Sequence, residues 1–147
     1  VTAGEVPALE AKLATACQRS APFKLRAEGL GHFDHRVLWV GLHGNLTALH
    51  HLVSEVTAES RAFGAHVEKR LFSPHITIGK AAGHFFPRGK MEQWLTRHRS
   101  TTFGEWRVDH LELIRSVLSS GAAKYTTLAR LPLGAAPADV SLSHRAC

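Results

Sequence analysis

The sequence predicts an α+β fold in which helices and strands follow one another along the chain. Some stretches carry apolar residues at the spacing of a helix. Other stretches are short and are either nearly all apolar or alternate apolar with polar residues, which is typical of strands. Gly121 lies between the last two predicted strands and favours an antiparallel hairpin. With 147 residues, 44% hydrophobic and 20% charged, the chain has the length and composition of one globular domain. We expect that domain to cover residues 1–133.

The chain is expected to begin with a helix and a strand. Pro7 suits the first turn of a helix, and apolar residues at helical spacing continue this helix to Arg19. Residues 23–27 alternate between apolar and polar side chains, which predicts a half-buried strand. Gly29 and Gly31 are expected to end this strand in a turn.

The middle of the chain is expected to hold a strand, a long helix and another strand. Residues 37–41 are nearly all apolar and predict a strand buried on both faces. Leucines and valines at helical spacing predict an amphipathic helix that begins at residue 46 and ends near Gly64, which is the expected C-cap. Ser73 precedes Pro74 and is therefore biased toward extended geometry, just before a strand at residues 75–78.

The last third of the chain is expected to end in a hairpin and a tail. Residues 83–89 predict a loop, and residues 91–95 predict a short helix. The hairpin strands are predicted at residues 107–115 and 125–133. Residues 134–147 are rich in Ala, show no periodicity and are expected to form a mobile tail.

The charge of the chain favours an anionic partner. The formal net charge is +6 and the isoelectric point is about 9.9, so phosphates are attracted by an excess of Lys and Arg. No apolar run approaches the roughly 20 residues that a membrane-spanning helix needs, and no membrane partner is expected. Cys17 and Cys147 do not make a disulfide framework, which favours a reducing, cytoplasmic location.

The stretch H-I-T-I at residues 75–78 carries the strongest candidate site. Residues two apart on a strand project from the same face, so His75 and Thr77 should point together while Ile76 and Ile78 point into the core. An imidazole with a pKa of about 6.5 can move a proton at neutral pH, and a hydroxyl can donate a hydrogen bond to an oxyanion. The pair suits a phosphate, although a polar face is also common in ordinary antiparallel sheets.

Other histidines are candidate metal ligands, but no metal site is predicted from them. His32 and His35 lie beside a glycine turn, whereas His50 and His51 are adjacent on a helix and diverge from each other. No cysteine or carboxylate at a suitable spacing completes either set.

The aromatic residues divide into predicted core and predicted loop. Trp39, Trp94 and Trp106 each occur in an apolar pattern and are expected in the core rather than stacked on bases. The run Phe85-Phe86-Pro87-Arg88 lies in a basic loop after the candidate strand, where a contact to a base or a lid is a possible role.

The order of these segments resembles the second part of a LigT-like 2H phosphoesterase. The resemblance extends from Pro7 to Leu133 and is carried by four segments, namely G-L-G-H-F at 29–33, F-S-P-H-I-T-I at 72–78, L-I-R-S at 113–116, and Tyr125 with L-P-L at 131–133. It implies a bilobal fold in which two antiparallel half-sheets flank a cleft with helices outside. Members hydrolyse RNA 2′,3′-cyclic phosphate ends and were first described as 2′-5′ RNA ligases.

The resemblance assigns roles to three residues. His75 and Thr77 match the second of the two His-x-Thr/Ser motifs that name the family, and Lys80 falls where members often carry a basic residue, usually Arg. The first motif is expected just upstream of Val1, before the first helix. The other His-x-Ser in this sequence starts at His98, in a charged stretch that does not predict a strand.

The implied chemistry needs two histidines and no metal or cofactor. One histidine takes a proton from the attacking water, the other protonates the departing ribose oxygen, and the threonine hydroxyls hold the nonbridging oxygens. The implied partners are RNA ends or nucleotides with a 2′,3′-cyclic phosphate, and the reverse reaction is ligation. Two alternatives stay open, a non-catalytic RNA- or nucleotide-binding module and a partial remnant that self-associates; the oligomeric state is left open as well.

Overall fold

The part of the chain that the structure describes forms three α-helices and six strands, as the α+β prediction requires. The structure, a computed structural model, describes residues 1–64, 71–81, 88–119 and 122–134. None of the described helices is long and apolar enough to cross a lipid bilayer. The elements are α1 (Val6–Gln18), β1 (Phe23–Phe33), β2 (Val37–Gly44), α2 (Leu46–Ser60), β3 (His75–Lys80), α3 (Arg88–Arg97), β4 (Thr102–Val108), β5 (His110–Ser119) and β6 (Ala122–Pro132).

The described residues form two compact units, each with its own antiparallel sheet. The first unit holds residues 1–22, 54–64, 109–119 and 122–134, and the second holds residues 23–53, 71–81 and 88–108. Two antiparallel sheets are what the sequence led us to expect. The extent of the single domain stays a prediction, and the predicted tail lies outside the described residues except for Gly134.

The first unit packs α1 against the β5–β6 hairpin. Leu9, Leu13 and Cys17 of α1 are buried, as is Leu131 of β6. The N–H of Gly134 donates to the Cys17 carbonyl at 3.0 Å, which holds the chain after β6 against the end of the helix. The predicted first helix and antiparallel hairpin are both confirmed, and the link at residues 120–121 lies outside the described residues.

The second unit is built on a four-stranded antiparallel sheet in the order β3-β2-β1-β4. One face of this sheet carries the buried core residues Phe23, Leu25, Ala27 and Val40. The prediction that residues 37–41 are buried on both faces is wrong, because only Val40 of that run is fully buried. The opposite face stays partly open, and it is the face that carries the candidate site.

Strand β1 does not end at residue 27, where a glycine turn was predicted, but continues to Phe33. Gly29 has a φ of 73° and lies at a bulge, where the pairing with β2 shifts between Glu28 and Leu30. Its N–H donates to the Thr101 carbonyl at 3.0 Å. The glycine therefore kinks a continuous strand instead of ending it.

The strand predicted at residues 107–115 is two strands that belong to different sheets. The break falls at Asp109. Before it, β4 pairs with β1 in the four-stranded sheet; after it, β5 pairs with β6 in the second sheet. The Asp109 carbonyl accepts the N–H of Leu133 at 2.8 Å. An apolar pattern alone could not show this change of partner, because both strands continue the same extended geometry.

None of the three tryptophans is in the buried core, so the prediction for all three is wrong. Trp94 is 42% exposed, Trp106 is 38% exposed and Trp39 is half-buried. On α3 the buried residues are Met91 and Leu95, one turn apart, whereas the Trp94 ring lies beside that of His98. Trp106 is on β4, which has a neighbouring strand on one side only in the described sheet.

Replacing Gly29 by Ala should destabilise the protein by about 1–3 kcal/mol. A β-carbon there would lie 2.6 Å from the Arg99 carbonyl oxygen, and the positive φ is unfavourable for any L side chain. Gly104→Ala is the matched control, because Gly104 lies in the same sheet and has open space around it. Urea unfolding measures both variants, and equal free energies of unfolding would contradict the account of the bulge.

Candidate active site

His75 is the first residue of β3, and a hydrogen bond fixes which of its nitrogens is available. Its Nδ1 lies 2.6 Å from the Ser73 carbonyl oxygen. A carbonyl can only accept, so Nδ1 carries the hydrogen and donates it. In the neutral ring Nε2 then has the free lone pair and can take a proton from a substrate or water. Pro74 lies between the two residues and favours the extended backbone that brings the Ser73 carbonyl to the ring.

Two aromatic rings support the His75 imidazole. The Phe33 ring meets it edge to face with centroids 5.0 Å apart, and the Trp39 ring lies 6.4 Å away. Trp39 also lies across Gly31, where a β-carbon would come within 2.2 Å of the indole. The absent side chain at Gly31 thus makes room for the indole, and the indole in turn limits the positions open to His75.

The pairing of β3 with β2 places three candidate residues on one face of the sheet. His75 pairs with Gly41 and Thr77 with Trp39, so both side chains share the face on which the Trp39 ring lies. The register then shifts, leaving Ile78 as an extra residue, and Lys80 pairs with Val37. We call the side chains of His75, Thr77 and Lys80 the His75 face.

The extra residue decides where Lys80 points. In an unbroken strand Lys80 would alternate with Thr77 and project from the opposite face. A bulge moves every later residue by one position and returns Lys80 to the face of Thr77. Thr77 and Lys80 are exposed and His75 is half-buried, so an anion in solution can reach all three.

The isoleucines beside the pair are not core residues, in contrast to the prediction. Ile76 is 43% exposed and Ile78 is 51% exposed. In the described sheet β3 is an edge strand, and Ile78 is the bulged residue, so neither side chain is enclosed by neighbours on both sides.

A second polar cluster joins the β1–β2 hairpin to α3. The Nε2 atoms of His32 and His35 lie 3.1 and 2.9 Å from the same carboxylate oxygen of Glu92. Hydrogen bonds from His35 and then His32 lower the pKa of the Glu92 carboxyl, which keeps it ionised. Beside this cluster is a cavity of about 420 Å³ whose lining includes Trp39, Arg99, His32 and Glu92.

The structure separates the other candidates from the His75 face. His98 lies in the turn after α3, where its Nδ1 is 3.2 Å from the Thr101 hydroxyl, and it is not on a strand. His50 and His51 are exposed on α2, and the His50 ring lies against Phe72. Of the predicted base contact at residues 85–88, residues 85–87 lie outside the described residues, and Arg88 begins α3 instead of lying in a loop.

The sequence pattern predicts His75 and Thr77 as a pair but does not indicate the groups around them. Phe33 was placed beside a turn and Trp39 in the core, and neither was connected with His75. The S-P-H order was a usable signal, since an extended residue before proline can present its carbonyl to the side chain that follows.

The fold and the His-x-Thr strand together define a phosphoesterase-like α+β protein of the 2H type. A sequence model of the 2′-5′ RNA ligase superfamily matches residues 1–119. The chain belongs to this superfamily, and its resemblance to LigT-like 2H phosphoesterases is confirmed.

Relatives with a described activity are similar to most of this chain. An RNA 2′,3′-cyclic phosphodiesterase of Aquifex aeolicus is 30% identical over 122 residues, which cover 80% of this chain and 64% of the relative. One of Geobacillus stearothermophilus is 30% identical over 141 residues, covering 93% of this chain and 43% of the relative. The chain therefore spans less than two thirds of either relative.

Solved structures share the fold. The crystal structure of E. coli LigT complexed with 3′-AMP has a TM-score of 0.65 at 22% identity and covers 90% of this chain and 71% of LigT. The crystal structure of a Thermus thermophilus protein, TT0787, has a TM-score of 0.66 at 25% identity, covering 92% of this chain and 73% of the other.

The neutral His75 ring should carry its hydrogen on Nδ1, because the Ser73 carbonyl accepts it. Long-range ¹H–¹⁵N NMR spectra above pH 8 distinguish a protonated from an unprotonated ring nitrogen. His51 is the control, since no described contact fixes its tautomer. A His75 ring with its hydrogen on Nε2 would rule out the proposed hydrogen bond.

Proposed function

We propose that this chain contributes the second His-x-Thr motif of a metal-independent RNA 2′,3′-cyclic phosphodiesterase. The proposal is supported above all by the His75 face. There one strand presents an imidazole that can transfer a proton, a hydroxyl that can donate a hydrogen bond, and a cation. The activity named for the Aquifex and Geobacillus relatives supports the choice of substrate.

In the proposed reaction His75 moves one proton through Nε2. We assign it most simply to the general acid, which as imidazolium protonates the ribose oxygen as its bond to phosphorus breaks. The Ser73 carbonyl holds the Nδ1 hydrogen throughout, so the ring keeps its orientation in both protonation states. Among the described residues this is the hydrogen bond that the ring makes. The group that takes the proton from water must be a second residue.

Thr77 and Lys80 are proposed to bind the phosphate. Thr77 is two residues beyond His75 on the same face, so its hydroxyl can donate to a nonbridging oxygen while Nε2 faces the ribose oxygen. Lys80 adds a positive charge at the end of the strand. Lysine acts here as a point charge, whereas an arginine would offer two parallel donors.

The proposed partners are RNA ends or nucleotides that carry the cyclic phosphate. The net charge of +6 supports encounter with such anions. A cytoplasmic location and the capacity for 2′-5′ ligation stay predictions. A binding module without turnover is the competing function, and an activity assay separates the two.

His75→Ala should lower the turnover of an oligonucleotide with a 2′,3′-cyclic phosphate end by about 10²–10⁴-fold. His51→Ala is the matched control, because His51 is an exposed histidine away from the strand. Thr77→Ala should also slow the reaction, and Thr77→Ser should retain most of it, since only the hydroxyl is needed.

The assay is run in excess chelator, where the unmodified protein should keep its rate. Equal rates for His75→Ala and His51→Ala would refute the assignment of His75. Loss of all turnover on chelation would refute the metal-independent mechanism, and tight binding without turnover would favour the binding module.

Lys80→Glu should weaken binding of adenosine 3′-phosphate by about tenfold, because a charged contact is replaced by repulsion. It should also flatten the dependence of affinity on salt, while Lys80→Arg should bind at least as well. Lys124→Glu makes the same change in net charge on β6 and is the control. Titration calorimetry over a salt series measures all three variants. Identical affinities for the two Glu variants would show that Lys80 does not contact the phosphate.

A further inference from the structure

The strongest unassigned feature is the cluster of His32, His35 and Glu92. One nitrogen of each ring and one carboxylate oxygen all lie within 4.8 Å of one another. The two ring centroids are 4.0 Å apart, and each Nε2 is within hydrogen-bond distance of the same carboxylate oxygen. A single ion at the usual distance of about 2.0–2.2 Å from its ligands could contact all three.

The backbone of the β1–β2 turn brings the two imidazoles together. Asp34 and His35 both have positive φ angles, 49° and 54°, and the N–H of Arg36 donates to the Phe33 carbonyl at 2.9 Å. Left-handed geometry at two successive non-glycine residues is uncommon. It turns the His35 ring back toward His32, whereas side chains three apart on a strand would project from opposite faces.

The third ligand comes from a different element. Glu92 is in the second turn of α3, and α3 contacts β1 in the second unit. The sequence offered no carboxylate at a metal-binding spacing near His32, because Glu92 lies 57 residues after His35. Only the packing of α3 on the strand brings this carboxylate to the two rings.

We propose that His32, His35 and Glu92 bind one divalent transition-metal ion of the zinc class. Two imidazoles and a carboxylate suit zinc, nickel or copper, whereas magnesium and calcium prefer ligand sets made of oxygen. His32 and Glu92 also line the 420 Å³ cavity, so a water molecule can complete the coordination from that side. The ion would tie the hairpin turn to α3.

Metal binding must change the hydrogen bonds of His32. Its Nδ1 accepts the backbone N–H of His35 at 3.1 Å, so in the metal-free state the ring hydrogen is on Nε2 and points at Glu92. The ion replaces that hydrogen, and the ring then carries its hydrogen on Nδ1. The His35 N–H must move away from it, and we therefore expect binding to shift the turn as well as to hold it.

The site is separate from the proposed chemistry. His75 is not among the three ligands, and the proposed hydrolysis is independent of metal. The expected effect is on stability, because an ion that binds the folded state alone raises the unfolding temperature.

Titration calorimetry with Zn²⁺ tests the proposal on the whole chain. The unmodified protein should bind one ion, and His35→Asn and Glu92→Gln should each weaken binding by at least about tenfold. Asn tolerates the left-handed geometry of residue 35, so the first variant should keep the turn. His51→Asn is the matched control and should bind as the unmodified protein does.

Two further readouts complete the test. Zn²⁺ should raise the unfolding temperature of the unmodified protein and of His51→Asn but not of the two ligand variants. Co²⁺ should give the visible bands of a nitrogen and oxygen site without an intense near-ultraviolet thiolate band. Unchanged Zn²⁺ affinity in His35→Asn and Glu92→Gln, no measurable binding by the unmodified protein, or a thiolate band would each overturn the proposal.

Discussion

The register of β3 on β2 determines what the His75 face can do. Pairing with Gly41 and Trp39 fixes His75 and Thr77 on one side of the sheet, and the extra residue at Ile78 brings Lys80 to that side. Without the extra residue the cation would lie on the opposite face and could not share a phosphate with Thr77. A single inserted position thus places a third side chain, the Lys80 cation, on the face of the two-residue motif.

The His75 ring depends on contacts that a short motif does not contain. The Ser73 carbonyl selects the nitrogen that is free to react, and the Phe33 and Trp39 rings restrict the orientation of the imidazole. The indole has its place because Gly31 has no side chain. Proton transfer depends steeply on distance and angle, and these neighbours hold the ring in the fixed geometry that the proposed role of His75 requires.

Period-two and helical patterns were sufficient to predict the class of fold, the first helix, the hairpin and the His75–Thr77 pair, because each of these depends on neighbours in sequence. The errors arose where a distant residue decides the outcome. Gly29 looked like a turn because its bulge is visible only once β2 and β4 are paired with β1. Glu92 was not connected with His32, since helix packing rather than spacing brings them together.

In the proposed function the phosphate of an RNA end binds on the His75 face. The most direct measurement is an NMR titration of the ¹⁵N-labelled chain with adenosine 3′-phosphate, following backbone amides and imidazole nitrogens. Binding there should shift the signals of His75, Thr77 and Lys80 most, with the His75 Nε2 signal moving and the His51 signals unchanged. Shifts confined to the cavity between Trp39 and Arg99, with His75 unaffected, would contradict phosphate binding on the His75 face.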